Sequence, residues 1–306
     1  MHGNWRACVY SGSLAADGVV ERFLRFARPF CVPFTQDEPA AHVAVFSAPL
    51  ADEPLRPGFV SDIEYPAWRS FYDRCSLAYR RFNQRYEWED EGQPSRPLFI
   101  YSWPGDFARD GGGGCYHGTV LQNPGQYGHL VPFLLVSRLA NEWHLERGGC
   151  CLHSSAVARG EDGFLFLGDS GAGKSTVSCM SASIGRPALG DDLNFVLQDP
   201  GGYRLAASIS AKRSPAGYSM ARPRLRGILR LVQDTRDELV PLSPRDAARA
   251  LVCALRETPS TKQLANVQIE RAFRTLSEVA RQVPAYDLHF RKHPDFWDLI
   301  DAQLPG

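Results

Sequence analysis

Nine consecutive residues carry the strongest chemical signal in the chain. Gly168, Asp169, Ser170, Gly171, Ala172, Gly173, Lys174, Ser175 and Thr176 read GDSGAGKST and fit G-x-x-x-x-G-K-[ST]. Glycines at such positions let successive backbone N–H groups turn inward around a phosphate. A helix starting near Lys174 adds the positive end of its dipole. Lys174 can then reach the β- and γ-phosphates of a nucleoside triphosphate, and Ser175 can ligate Mg²⁺. A second signal, Asp191–Asp192, follows closely. Adjacent carboxylates repel, so they need solvent or a function. At a strand end beside the loop they can hold Mg²⁺ and accept a proton from an attacking hydroxyl. As a plain structural feature they would be a polar turn between two strands. The third signal is His153 in CLHSSAV, which can bind metal or orient a carboxylate. A lone histidine on an apolar strand is more often a satisfied core residue, and only the company of the other two signals argues otherwise.

These residues need particular elements to position them. FLFLGD reads as the strand entering the loop, and KSTVSCMSASIG as a short helix closed by Gly185. CCLHSSAVAR and FLFLGD flank the turn GEDG and predict a hairpin. That hairpin would bring His153 near the phosphate site as an antiparallel neighbour. PALGDDLNFVLQD reads as a strand broken by its two aspartates, with Asn194 and Gln198 further along it. A helix is expected over 130–147, ending at Gly148–Gly149. LRGILRLVQ is a strand. SPRDAARALVCALRE is a helix with Ser243 as N-cap and Pro244 at its first position. A further helix runs over 262–283, and YDLHFRK and PDFWDLIDAQL close the chain.

The first 125 residues look mixed. RACVYSGS, AHVAVFSAP and PLFIYSW are strand-like. DGVVERFLRFA has helical spacing. Over 66–86, Trp68, Phe71, Cys75, Ala78, Tyr79, Phe82 and Tyr86 recur on one helical face, a stripe that reads as core. The acidic run Glu87, Glu89, Asp90 and Glu91 reads as a solvated helix end or loop. The glycines Gly111–Gly114 read as a flexible linker.

Composition narrows the class. The 306 residues carry 34 Lys+Arg and 34 Asp+Glu, so no global charge draws the chain to nucleic acid or an acidic membrane. No apolar run approaches the ~18–20 residues of a membrane span. MHGNWRACVYSGS lacks a basic segment followed by an apolar core, so no signal peptide is expected and the expected location is cytoplasmic. The eight cysteines form no CxxC pair or Cys/His zinc spacing and read as buried free thiols.

Taken together, LHSSAV…FLFLGDSGAGKST…LGDDLNFV resembles HPr kinase/phosphorylase and the looser group of HPr-kinase-like proteins. It is also similar to the nucleotide site of phosphoenolpyruvate carboxykinase. DELVPLSPRDAARALV and LHFRKHPDFWDLID are similar to the C-terminal part of that looser group, some of whose members modify peptide natural products such as lasso peptides. The resemblance covers about residues 130–305. It implies an α/β fold with a β-rich P-loop core of the HPr kinase/phosphoenolpyruvate carboxykinase type over 126–306. A smaller α+β N-terminal domain over 1–125 would serve substrate recognition. It implies ATP and Mg²⁺ as ligands. Residues 168–176 would hold the nucleotide, Ser175 and Asp191 the metal, and Asp192 would be the base, with His153 against the aspartate pair. Two departures point away from HPr itself. Thr176 stands where those enzymes carry glutamate, and their arginine- and glycine-rich C-terminal signature is absent. The basic stretch with Lys212, Arg213, Arg222, Arg224, Arg226 and Arg230 either steadies a phosphoryl group or is a solvated surface. The expected activity is phosphorylation of a hydroxyl, serine of a peptide or small protein, by a chain able to form homo-oligomers. The alternatives are a small-molecule kinase and a non-catalytic ATP-binding partner.

Overall fold

The apolar run Gly163–Leu167 has the signature of a strand covered on both faces. In the computed structural model it lies inside a nine-stranded mixed sheet. The structure describes residues 7–11, 21, 23, 27, 41–47, 84–90, 93–104, 116–122, 130–208, 219–258, 261 and 266–305. The chain is a mixed α/β protein that divides into two compact units, residues 3–139 and 140–306.

The first unit contains a five-stranded sheet. Its strands are β1 (Ala7–Ser11), β2 (Ala41–Ser47), β3 (Gln84–Asp90), β4 (Gln93–Pro104) and β5 (Tyr116–Gln122). They lie in the order β1-β2-β5-β4-β3. β1, β2 and β5 are parallel, and β4 is antiparallel to both β5 and β3. This corrects the sequence reading at two places. Gln84–Tyr86 is strand rather than the end of a helix, and Glu87–Asp90 continues that strand rather than forming a helix end or loop. Cross-strand pairing with β4 satisfies this backbone, and the alternation of Tyr86 and Trp88 fits it. The aromatic stripe over 66–83 and Gly111–Gly114 lie outside the described residues.

The second unit builds the larger sheet. Its strands are β6 (Cys150–His153), β7 (Ser155–Arg159), β8 (Asp162–Leu167), β9 (Ala188–Gly190), β10 (Leu193–Asp199), β11 (Gly202–Ala207), β12 (Arg224–Gln233), β13 (Glu238–Pro241) and β14 (Ala285–Phe290). The path runs β6-β10-β11-β12-β8-β7-β9, and β14 joins β12 to β13. α1 (Leu130–Leu145) crosses the division at residue 140, and the helices of the second unit are α2 (Lys174–Ser183), α3 (Pro244–Glu257), α4 (Asn266–Gln282) and α5 (Phe296–Gln303). The expected hairpin forms, with β7 and β8 joined around Gly160–Glu161.

Alternation along β8 divides the core. Leu165 and Leu167 join Leu251 and Leu255 of α3 and Leu276 and Val279 of α4 in one cluster. Phe164 and Phe166 join Val177 of α2 and Phe296, Trp297 and Ile300 of α5 in another. On that second face Trp297 meets Phe164 edge-on at 5.4 Å and Phe166 at 6.0 Å. Losing a buried aromatic ring of this kind costs about 3–5 kcal/mol. α3 starts as its sequence dictates. Ser243 Oγ accepts from the Asp246 N–H at 3.2 Å and Pro244 occupies the first turn, a cap contributing about 1 kcal/mol. Among the described residues no helix is long and apolar enough to cross a membrane.

Candidate functional site

The glycine loop joins β8 to α2. Gly173 is the last turn of the loop before the helix. Its φ of 107° suits glycine alone, and an added Cβ would lie 2.8 Å from Phe290 Cζ. Asp169, Ser170, Gly171 and Ser175 are exposed, while Gly168, Ala172, Gly173 and Thr176 are half-buried. Lys174 is buried, and its ammonium donates to the carbonyls of Gly168 and Asp169. The Gln233 amide, at the end of β12, donates to the Gly171 carbonyl at 2.8 Å. α2 is tied down one turn later, where the hydroxyls of Ser178 and Ser155 share a short hydrogen bond.

Topology brings the aspartates to the same edge. β7 is antiparallel to both β8 and β9, so β8 and β9 run parallel. Ala156 is paired with Leu165 on one side and with Gly190 on the other. The loop leaves the C-terminal end of β8, and Asp191–Asp192 leave that of β9. Two strand spacings, about 10 Å, separate them across the sheet.

The bend holding the aspartates is built from buried polar bonds. Asn194 is fully buried, and its amide donates to Ser154 O at 2.8 Å, Gly190 O at 3.1 Å and Ser154 Oγ at 3.2 Å. The Ser154 N–H donates to Asp192 O at 3.1 Å, and the Ser208 N–H to Leu193 O at 3.1 Å. Gly190 cannot carry a side chain here, because a Cβ would sit 2.9 Å from Asn194 Oδ1. Asp191 is buried at 7% exposure, while the Asp192 side chain keeps 18%.

His153 reaches this bend by a different route from the one its sequence position suggested. The strand is interrupted at Ser154. β7 pairs with β8, whereas β6, which carries His153, pairs with β10, with His153 opposite Leu193. The imidazole therefore meets the aspartates from across the β6–β10 ladder. His153 Nε2 lies 3.8 Å from Asp192 Oδ1, and Nδ1 lies 3.2 Å from Glu257 Oε2. Glu257, the last residue of α3, is the member that sequence reasoning missed. The available signal was electrostatic: a carboxylate at a helix C-terminus faces the negative end of the dipole.

The segment 135–305, more than half of the chain, matches the family described as ScmC, SynChlorMet cassette protein ScmC. The chain belongs to the ScmC family. No curated protein matches it.

The matched ScmC segment contains the loop, the aspartate bend, His153 and Glu257. It also contains the whole basic stretch, and the structure sorts the described cations. Arg224 pairs in register with Asp162 at the start of β8, so Arg224 and Arg226 lie at the end of the sheet away from the loop. Arg226 pairs with Asp162 at 3.2 Å. Arg230 forms a two-bond pair with Asp287 at 2.5 and 2.6 Å. Arg222 is exposed, and Lys212 and Arg213 lie outside the described residues.

Of the cysteines with described side chains, Cys150 and Cys151 are buried as expected, but Cys253 is exposed and Cys179 partly so. Burial pushes the Cys151 thiol up to about 12, and the nearby Asp192 charge adds to this against a hydrogen bond with Ser208. Burial thus favours the neutral thiol at Cys151. Among the described residues no three His, Cys, Asp or Glu side chains cluster as a metal cage. Mg²⁺ characteristically takes one or two carboxylates together with phosphate oxygens. The oxygen donors of Asp191 and Ser175 suit that mode of binding.

Proposed function

We propose that the chain is an ATP- and Mg²⁺-dependent kinase of the HPr-kinase-like type. Its acceptor is a hydroxyl, that of serine in a peptide or small protein. One observation carries the reading: the glycine loop and the Asp191–Asp192 bend leave parallel strands at one sheet edge, with His153 beside Asp192. A triphosphate anchored in the loop extends across that edge towards Asp192.

In this reading Lys174 exchanges the Gly168 and Asp169 carbonyls for phosphate oxygens, and the N–H groups opening α2 hold the same anion. Asp192 accepts the proton of the acceptor hydroxyl. The hydroxyl oxygen bonds to the γ-phosphorus as the bond from that phosphorus to the ADP oxygen breaks. His153 aims the Asp192 carboxylate. Mg²⁺, when bound by Ser175 and Asp191, neutralises charge on the phosphate oxygens. Thr176 supports an acceptor other than HPr. The description of the family as a cassette protein supports an acceptor encoded alongside it.

The test incubates the purified chain with ATP, Mg²⁺ and serine-containing peptides encoded near its gene. Mass spectrometry then reads the gain of one phosphoryl group. Transfer by the wild type and its loss in Lys174→Ala and Asp192→Asn is the expected result. Full transfer in both variants overturns the assignment.

A further inference from the structure

We infer that Glu257 is a positioning residue for the phosphoryl-transfer site, acting through His153; this rests on the kinase reading above. Three observations and a general property of histidine converge. The Glu257 carboxylate lies 3.2 Å from His153 Nδ1, within hydrogen-bond reach. The opposite ring nitrogen is 3.8 Å from Asp192, beyond a direct hydrogen bond, so Glu257 makes the closer of the two carboxylate contacts. A histidine whose Nδ1–H is held by one carboxylate turns Nε2 towards the second, and it donates to both when the ring carries both protons. Finally, the helix end carrying Glu257 is docked onto the strand carrying His153. Thr258 is fully buried, its hydroxyl donates to Ala254 O at 3.0 Å, and it lies 3.5 Å from Cys151 O on β6.

The placement is otherwise unfavourable. A carboxylate closing α3 opposes the helix dipole. A residue kept only for stability would not be acidic there. Removing the charge should leave the fold as stable or slightly more so, while disturbing turnover. Stability and activity therefore move apart, which a purely structural role does not allow.

The experiment compares Glu257→Ala and Glu257→Gln in the full chain. In Glu257→Ala, kcat is expected to fall about 10–100-fold, the range for partners that orient a functional histidine. The KM for ATP stays within about twofold, because the residue acts on Asp192 rather than on the nucleotide. The melting temperature is unchanged or higher. Glu257→Gln keeps an oxygen that accepts from Nδ1–H and recovers most of the lost kcat. Wild-type kcat in Glu257→Ala overturns the inference, and so does a loss of ATP binding equal to that of Lys174→Ala. A second measurement separates this inference from the kinase reading. In chain labelled with ¹⁵N-histidine, the His153 Nδ1 proton is observed in the wild type and lost in Glu257→Ala. An unchanged His153 spectrum overturns the positioning role. If the wild type transfers no phosphoryl group but that proton behaves as expected, the kinase reading fails and the Glu257–His153 coupling stands.

Discussion

The glycine loop and the aspartate bend are built by opposite means. The loop is nine residues in a row, and its shape comes mostly from glycine torsions and bonds within a few residues of Lys174, with one long-range bond from Gln233. The bend gathers Asp191–Asp192, His153, Asn194 and Glu257 from separate segments. It is held by Asn194 bonding to Ser154 across the sheet and by Thr258 anchoring a helix end. A local site tolerates change elsewhere, because its geometry is written into its own backbone. A convergent site inherits the register of every strand that feeds it. Nucleotide binding should therefore follow the loop, and turnover should follow the bend.

The sharpest break of that division is a pair of variants. Lys174→Ala should abolish measurable ATP binding in calorimetry. Asp192→Asn should keep ATP affinity near wild type while lowering kcat about 10²–10⁴-fold, the usual weight of a general base. Equal loss of binding in both would merge the two regions into one. Asn194→Leu comes next. It removes three donor contacts within a buried site and leaves carbonyls unpaired, which should cost about 2–4 kcal/mol in urea denaturation. ATP binding by the surviving folded protein should persist.

Gly173→Ala is the mirror experiment on the loop. A Cβ at φ 107° and 2.8 Å from Phe290 should cost about 1–3 kcal/mol and weaken ATP binding. The ¹⁵N signals of His153 should stay in place.

Acid supplies the smallest effect at neutral pH. His144 packs 4.6 Å from Phe195, on the strand that follows the aspartates. Burial, then the charges of Arg222 and Arg147, lower its pKa from 6.5 to about 3. The unfolded chain takes up this proton near pH 6.5, whereas the folded chain does so only near pH 3. This contribution to stability is complete above pH 6.5 and is lost as the pH falls towards 3. His144→Phe should flatten that part of the stability–pH curve.

Much of the second unit was legible because its cues are local. Gly173 and Gly185 bracket α2, Ser243 and Pro244 open α3, and Gly160 turns β7 into β8. The strand Gln84–Asp90 was misread because Tyr86 extends the helical spacing of the residues before it and the acidic run hides the alternation of Tyr86 and Trp88, which pairing with β4 puts to use. Glu257 was invisible because nothing near position 257 names its partner. His153 lies more than a hundred residues earlier, and the contact exists only once α3 docks against β6.

By itself the sequence determined the glycine loop, its flanking strand and helix, and the presence of two carboxylates soon after it. Those features rest on torsions, caps and alternation, which act over a few residues. Tertiary structure alone decided which sheet edge the aspartates share with the loop. It also decided which strand carries His153 to them, and that a glutamate from a distant helix closes the set. Strand order and helix docking are settled by burial of two apolar faces at once, and no short stretch of the chain contains both partners.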